Sequence, residues 1–199
     1  MKIGYKQKII TTAIEKILNE SAITGQFNWF INKHQQQYFM EGFGVIDTIF
    51  KVLKGNYAAN QNKKEQRLKC DAFFKGQYNF MFEFDEVQHF SSARLKTLEL
   101  YPKNLNLNFD ISNWKFLCKK YHDKADKYRY NKACVDFNFK GGRTSQRAYL
   151  DCFRDILPCY HGLNPTLRIN EFEIMDVLED DKALLKRTEQ LLKKKLTFI

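Results

Sequence analysis

Two Phe-rich runs of strand length, residues 68–74 and 78–87, are separated only by Lys75, Gly76 and Gln77. Short apolar runs joined by a glycine-containing turn predict a β-hairpin. Around it the hydrophobic period is helical. Ile9, Ile10, Ala13, Ile14, Ile17 and Leu18 form a stripe over residues 6–19. A second helical stretch is predicted over 27–54, with Phe39, Phe43, Ile46, Phe50 and Leu53 on one face and Gly42 and Gly44 as breaks. Residues 56–66 are polar and read as a loop. A helix over 92–101 stops at Pro102, and residues 105–136 read as a largely helical insertion anchored by Trp114, Phe116, Leu117 and Tyr121. After Gly141 and Gly142 the pattern predicts a helix over 144–157 stopped by Pro158, then a strand over 166–174. A final helix over 180–195 is acidic at its start and basic at its end, as the helix dipole prefers. A hairpin, a crossover helix and another strand make an α/β sheet flanked by helices. The 199 residues fit one domain, with a core over about 27–175, the insertion over about 105–136 and the last helix over about 180–195.

Lys and Arg number 33 against 23 Asp and Glu, a net charge of +10 on a small domain. Such a surplus favours a polyanionic partner, nucleic acid before an anionic membrane, because no terminal amphipathic helix with Trp or Phe anchors is evident. No window has enough uncharged apolar residues to span a bilayer, and Met1-Lys-Ile-Gly-Tyr-Lys has no apolar core of signal-peptide type. The expectation is an intracellular, cytoplasmic protein. The five cysteines, Cys70, Cys118, Cys134, Cys152 and Cys159, form no Cys-x-x-Cys pair. They read as small buried hydrophobes rather than a disulfide framework or zinc ribbon.

The second strand of the hairpin ends in acids: Glu83, Asp85 and Glu86, followed by Gln88 and His89. Strand alternation puts Glu83 and Asp85 on one face and Glu86 and Gln88 on the other. The first strand carries one acid, Asp71, at the head of its apolar run. Acids at a strand end are also ordinary solvated turn residues. The positive charge and the acid on the neighbouring strand favour a metal site, since converging carboxylates repel unless a cation lies between them, and hard oxygens suit Mg²⁺. Such a site can activate water toward a phosphodiester.

Asp71, eleven residues, then Glu83-Phe84-Asp85 resembles the P-D…(D/E)-x-K nuclease superfamily, which has a restriction-endonuclease-like fold. The subgroup it most resembles comprises the very-short-patch-repair endonucleases and their relatives. Their Glu-(Ile/Val)-Asp-Gly-x-x-His segment is matched by residues 83–89 apart from Glu86 in place of Gly. Their later Asp-x-x-Arg-Asp helix, Gly and Leu-Arg strand resemble Asp151, Arg154 and Asp155, then Gly162, then Leu167-Arg168. Two departures stand out. The third motif position is Asp85 rather than Lys, and about sixty residues separate His89 from Asp151. A second register, Asp71, fourteen residues, then Glu86-Val87-Gln88, resembles the Glu-x-Gln ending of other restriction enzymes of this fold.

The resemblance implies a Mg²⁺-dependent DNA endonuclease, with Mn²⁺ as an alternative ion. Asp71 and Glu83 would be the metal ligands, or Glu86 in the second register. Asp85 or Gln88 would orient water, and His89 would serve as acid–base or phosphate contact. Glu41 and Asp47 are candidates for a further acid from the first core helix. Arg143, Arg147 and Arg168 are candidate DNA contacts; Arg154 is a candidate for a structural pair with Asp155. Lys115, Lys119, Lys120, Lys124, Lys127, Arg129 and Lys132, interleaved with Tyr121, Tyr128 and Tyr130, suit a backbone-tracking surface or an ordinary solvated helix. Lys193, Lys194 and Lys195 read as a solvated face. The alternatives to an enzyme are a catalytically silent nucleic-acid-binding protein of the same fold and a subunit of a larger DNA-processing complex. A double cut at a palindrome would call for a homodimer.

Overall fold

The structure, a computed structural model, describes residues 4–128 and 132–196. It is a mixed α/β fold: a three-stranded sheet with helices on both faces. The strands are β1 (Ala72–Phe74), β2 (Phe80–Asp85) and β3 (Asn164–Asn170), in the spatial order β1-β2-β3. β1 and β2 are the antiparallel hairpin, paired Ala72 to Phe82 and Phe74 to Phe80. β3 returns parallel to β2, with Glu83 opposite Arg168 and Asp85 opposite Asn170. The helices are α1 (Tyr5–Leu18), α2 (Gln36–Phe39), α3 (Phe43–Val52), α4 (Tyr57–Asn62), α5 (Ser92–Glu99), α6 (Ile111–Lys127), α7 (Gly142–Tyr160) and α8 (Asp181–Lys195).

The even-numbered phenylalanines of β2 explain one layer. Phe80, Phe82 and Phe84 share a face with Ala72, Phe74, Leu167 and Ile169, and pack on Ile10, Ile14 and Leu18 of α1 and Leu184, Leu191 and Leu192 of α8. The opposite face carries Met81, Glu83, Asp85 and Arg168, and α7 lies across it. That face is therefore polar where α7 covers it. Single bridges flank the sheet: Ile23 pairs with Phe73 outside β1, and Asn108 with Leu167 outside β3.

Several helix starts are set by local chemistry. Ser91 caps α5, Asp110 caps α6 and Asp180 caps α8, each side chain accepting first-turn N–H groups. α7 follows Gly141, which is left-handed at φ 87°, and starts at Gly142, where a Cβ would collide with the Phe137 carbonyl.

The helical stretch expected over 27–54 begins only at Gln36. Residues before it form a loop in which Trp29 stacks on His161 at 4.3 Å and Ile31 bridges Arg67. The expected loop at 56–66 contains α4, because Asn56 accepts the Ala59 N–H and caps it. Pro158 does not stop α7 but lies in its last turn. The Arg154 carbonyl, to which proline has no N–H to donate, accepts the Thr166 hydroxyl instead at 2.5 Å. The C-terminal lysines are not uniformly solvated either: Lys195 is buried, donating to the Arg168 carbonyl and to Glu173. All five cysteines are free, with Cys70, Cys118 and Cys152 buried, Cys134 half-buried and Cys159 exposed. Among the described residues no helix is long and apolar enough to cross a membrane.

Candidate active site

A cleft of about 310 Å³ opens between the end of β2, the residue before β1 and one face of α7. Its sheet side presents Asp71, Glu83, Glu86, Gln88 and His89; its helix side presents Arg143, Arg147, Asp151 and Arg154. The helix set is spaced four, four and three residues apart, which places it on one face of α7. Continuing the hairpin register one step sets Asp71 opposite Glu83. Asp71 stands exposed at the mouth with its carboxylate turned inward, where Oδ2 accepts the Phe84 N–H at 2.8 Å. Loss of hydration holds this carboxyl above its ordinary value, against the pull of the Phe84 N–H and Arg154.

Glu83 is buried. Its Oε1 lies 2.8 Å from Arg154 Nε, but the N–H is not aligned, and neither atom has a hydrogen-bond partner. Burial pushes the Glu83 carboxyl up to about 8, Arg154 pulling it down and Asp71 pushing it further up. A buried carboxylate oxygen without an aligned hydrogen bond, beside a second carboxylate, is chemically suited to a hard cation. Asp71 and Glu83 could hold Mg²⁺, which keeps several waters and uses one or two carboxylates together with substrate oxygens. Among the described residues no three His, Cys, Asp or Glu side chains group as a complete metal cage.

The chain leaves β2 at Asp85 and makes a 3₁₀ turn over Val87–His89. This turn brings Glu86 and Gln88 to the same cleft as Glu83. Their expected separation onto opposite faces ends where the strand ends. Within the turn the Gln88 amide donates to Glu86 Oε2 at 2.8 Å, and Arg147 donates to the Gln88 carbonyl at 3.1 Å. Glu171, at the end of β3, holds the turn by accepting the Val87 N–H at 2.6 Å, and Lys6 of α1 pairs with its other oxygen at 2.5 Å.

Behind the cleft lies a dry ionic cluster. Arg168, fully buried, donates from Nη1 to Asp85 and from Nε to Asp155, both at 2.6 Å, and its Nη2 lies 3.5 Å from Asp151. Arg94 and the Tyr101 hydroxyl both donate to Asp155, and Trp114 Nε1 donates to Asp85 Oδ2 at 2.7 Å. His89 Nδ1 lies 3.0 Å from Asp151 and 3.5 Å from Asp85. Three aspartates against two arginines leave one negative charge, which a proton on His89 would balance. Burial opposes that charge, but Asp151 and Asp85 outweigh it and raise the His89 pKa above 6.5. Burial would likewise push Asp151 up, yet His89 and Arg168 hold it well below the usual carboxylate range.

A histidine whose pKa rises on folding stabilises the fold fully below its unfolded value of 6.5, and that contribution is lost as pH rises through the folded value. His89→Gln should therefore flatten part of the fall in stability above pH 6.5, read from urea melts taken up to about pH 9. An unchanged pH profile would mean that His89 does not carry the balancing charge.

The cluster corrects two assignments. Asp85 cannot orient water in the cleft, because its two oxygens are taken by Trp114 and Arg168. Arg168 cannot contact DNA, because it has no exposed surface. Arg154 pairs with Glu83 rather than with Asp155. Lys119 and Lys120 are exposed on α6 but do not line the cleft; Lys120 sits over the rings of Phe116 and Tyr121. Arg129 and Tyr130 lie outside the described residues. Glu41 is exposed away from the cleft, and Asp47 is engaged by His34, Lys51 and Tyr57. Sequence reasoning missed Arg154 as a cleft residue, although the four-four-three spacing from Arg143 was its signal. Gln7 of α1, which reaches the Asp71 carbonyl at 3.3 Å, left no signal in the sequence. No protein-family model, no curated protein and no solved structure matches this chain.

Proposed function

We propose that the protein is a Mg²⁺-dependent DNA endonuclease with a restriction-endonuclease-like core. One observation carries the reading: Asp71 and the buried Glu83 carboxylate, whose Oε1 accepts no hydrogen bond, share a cleft with an arginine face of α7. The antiparallel β1–β2 pair, the parallel return of β3 and the α7 crossover support the fold assignment. Asp71 and Glu83 would hold the ion, which when bound supplies charge to the phosphoryl oxygens and acidity to water. Arg143 and Arg147 hold the flanking phosphates by charge-assisted hydrogen bonds. His89, whose pKa Asp151 raises against burial, would donate a proton to the leaving oxygen.

Supercoiled plasmid should be nicked with Mg²⁺, and nicking should stop with EDTA or with Asp71→Ala. Cleavage surviving both would contradict the mechanism. A second reading, DNA binding without cleavage, draws on Asp85, whose burial leaves the third motif position with no group in the cleft. It expects DNA affinity that falls with salt, and no Mg²⁺-stimulated nicking.

A further inference from the structure

Arg154 is placed unlike the other cations of the cleft. Its Nη1 donates to the Leu150 carbonyl at 3.0 Å and its Nη2 to the Lys69 carbonyl at 2.9 Å. The guanidinium is thus tied to its own helix on one side and to the approach to β1 on the other, with the Phe30 ring 5.1 Å away. Its Nε is buried 2.8 Å from Glu83 Oε1, an ion pair without an aligned hydrogen bond, and the residue lines the cleft wall. Arg168 shows how this chain builds a purely structural pair, with two aligned bonds of 2.6 Å to Asp155 and Asp85. A cation fixed by backbone carbonyls at the wall of a cleft is the arrangement that stabilises charge developing on a reacting group.

We propose that Arg154 is a catalytic residue, the fixed cation that faces the phosphoryl group, with Glu83 beside it setting its place. This rests on the phosphodiesterase reading above. In the step it serves, a water oxygen forms a bond to phosphorus while the bond from phosphorus to the leaving sugar oxygen breaks. The water gives up a proton to solvent and the leaving oxygen gains one. Arg154 transfers no proton; it meets the negative charge on the phosphoryl oxygens that do not leave.

The test compares wild type, Arg154→Met and Arg154→Lys in plasmid nicking at saturating Mg²⁺. Mn²⁺ binding is measured by calorimetry without DNA, and thermal melts are recorded alongside. Arg154→Met should lose about 10²-fold or more in kcat with little change in KM. It should also bind Mn²⁺ more tightly, because a positive charge beside Glu83 is gone. Arg154→Lys should lose at least about 10-fold, since an ammonium cannot make both carbonyl bonds and hold its charge in the same place. A structural residue would instead lower melting temperature, Mn²⁺ affinity and kcat together, and that result overturns the assignment. Unchanged kcat in folded Arg154→Lys overturns it as well, even where Arg154→Met fails to fold. Wild-type protein that neither nicks DNA nor binds Mn²⁺ would remove the nuclease reading and this assignment together; nicking by wild type and Arg154→Met alike would remove the assignment alone.

Discussion

Arg168→Met is expected to destabilise the protein by roughly 3–5 kcal/mol, the range for breaking a buried ion pair from one side. Arg168 is the cation between Asp85, Asp151 and Asp155, and methionine would leave three carboxylates in a dry interior with only Arg94 and His89 to balance them. For a domain of this size the melting temperature should fall by roughly 10 °C. The loss should shrink as pH falls. Asp155 is held below its ordinary pKa chiefly by Arg168 and Arg94 working against burial, and without Arg168 it protonates more readily. Thermal melts at neutral and mildly acidic pH test both statements. A loss below about 1 kcal/mol would mean that the cluster tolerates an unpaired charge, contrary to its geometry.

Glu83→Gln should move stability and activity in opposite directions. The folded pKa of Glu83, about 8, lies above its ordinary 4.5, so the folded state binds this proton more tightly than the unfolded chain. Stability from this group is greatest below 4.5 and is lost as pH rises through about 8. Glutamine removes that loss. Above about pH 8 the variant should be more stable than wild type by a few kcal/mol on the order-of-magnitude scale of such shifts, with the gap closing toward pH 4. Mg²⁺-dependent nicking should nevertheless fall by about 10²-fold or more, while DNA binding in Ca²⁺ is retained. A variant less stable than wild type at high pH would show that the Arg154 contact outweighs the burial of Glu83.

The hairpin and the acids at its end were legible because each depends on neighbours a few residues away. Period-two Phe placement gives β2 its two faces. Asp85 and Arg168 were misread because a charged residue in a sequence carries no mark of burial. Their fate depends on Trp114 and Asp155, 29 and 13 residues away. The 3₁₀ turn after Asp85 was equally hidden: it is held by Glu171, 84 residues from Val87, and it delivers Glu86 and Gln88 to the site. Local pattern therefore located the strand that carries the candidate ligands, while tertiary pairing decided which of its acids remain available.

The bridges that flank the sheet also bear on how the protein behaves in company. A three-residue edge strand rich in phenylalanine is a ready template for a strand from another molecule. Here Phe73 is already occupied on its outer side, exchanging backbone bonds of 2.9 Å with Ile23 in both directions. At the other margin Asn108 lies alongside Leu167 and its amide binds the Pro165 carbonyl, while Pro165 itself has no N–H to offer. Each margin is stoppered by a piece of loop rather than by another strand. Strand-by-strand polymerisation would first have to peel one of these loops away.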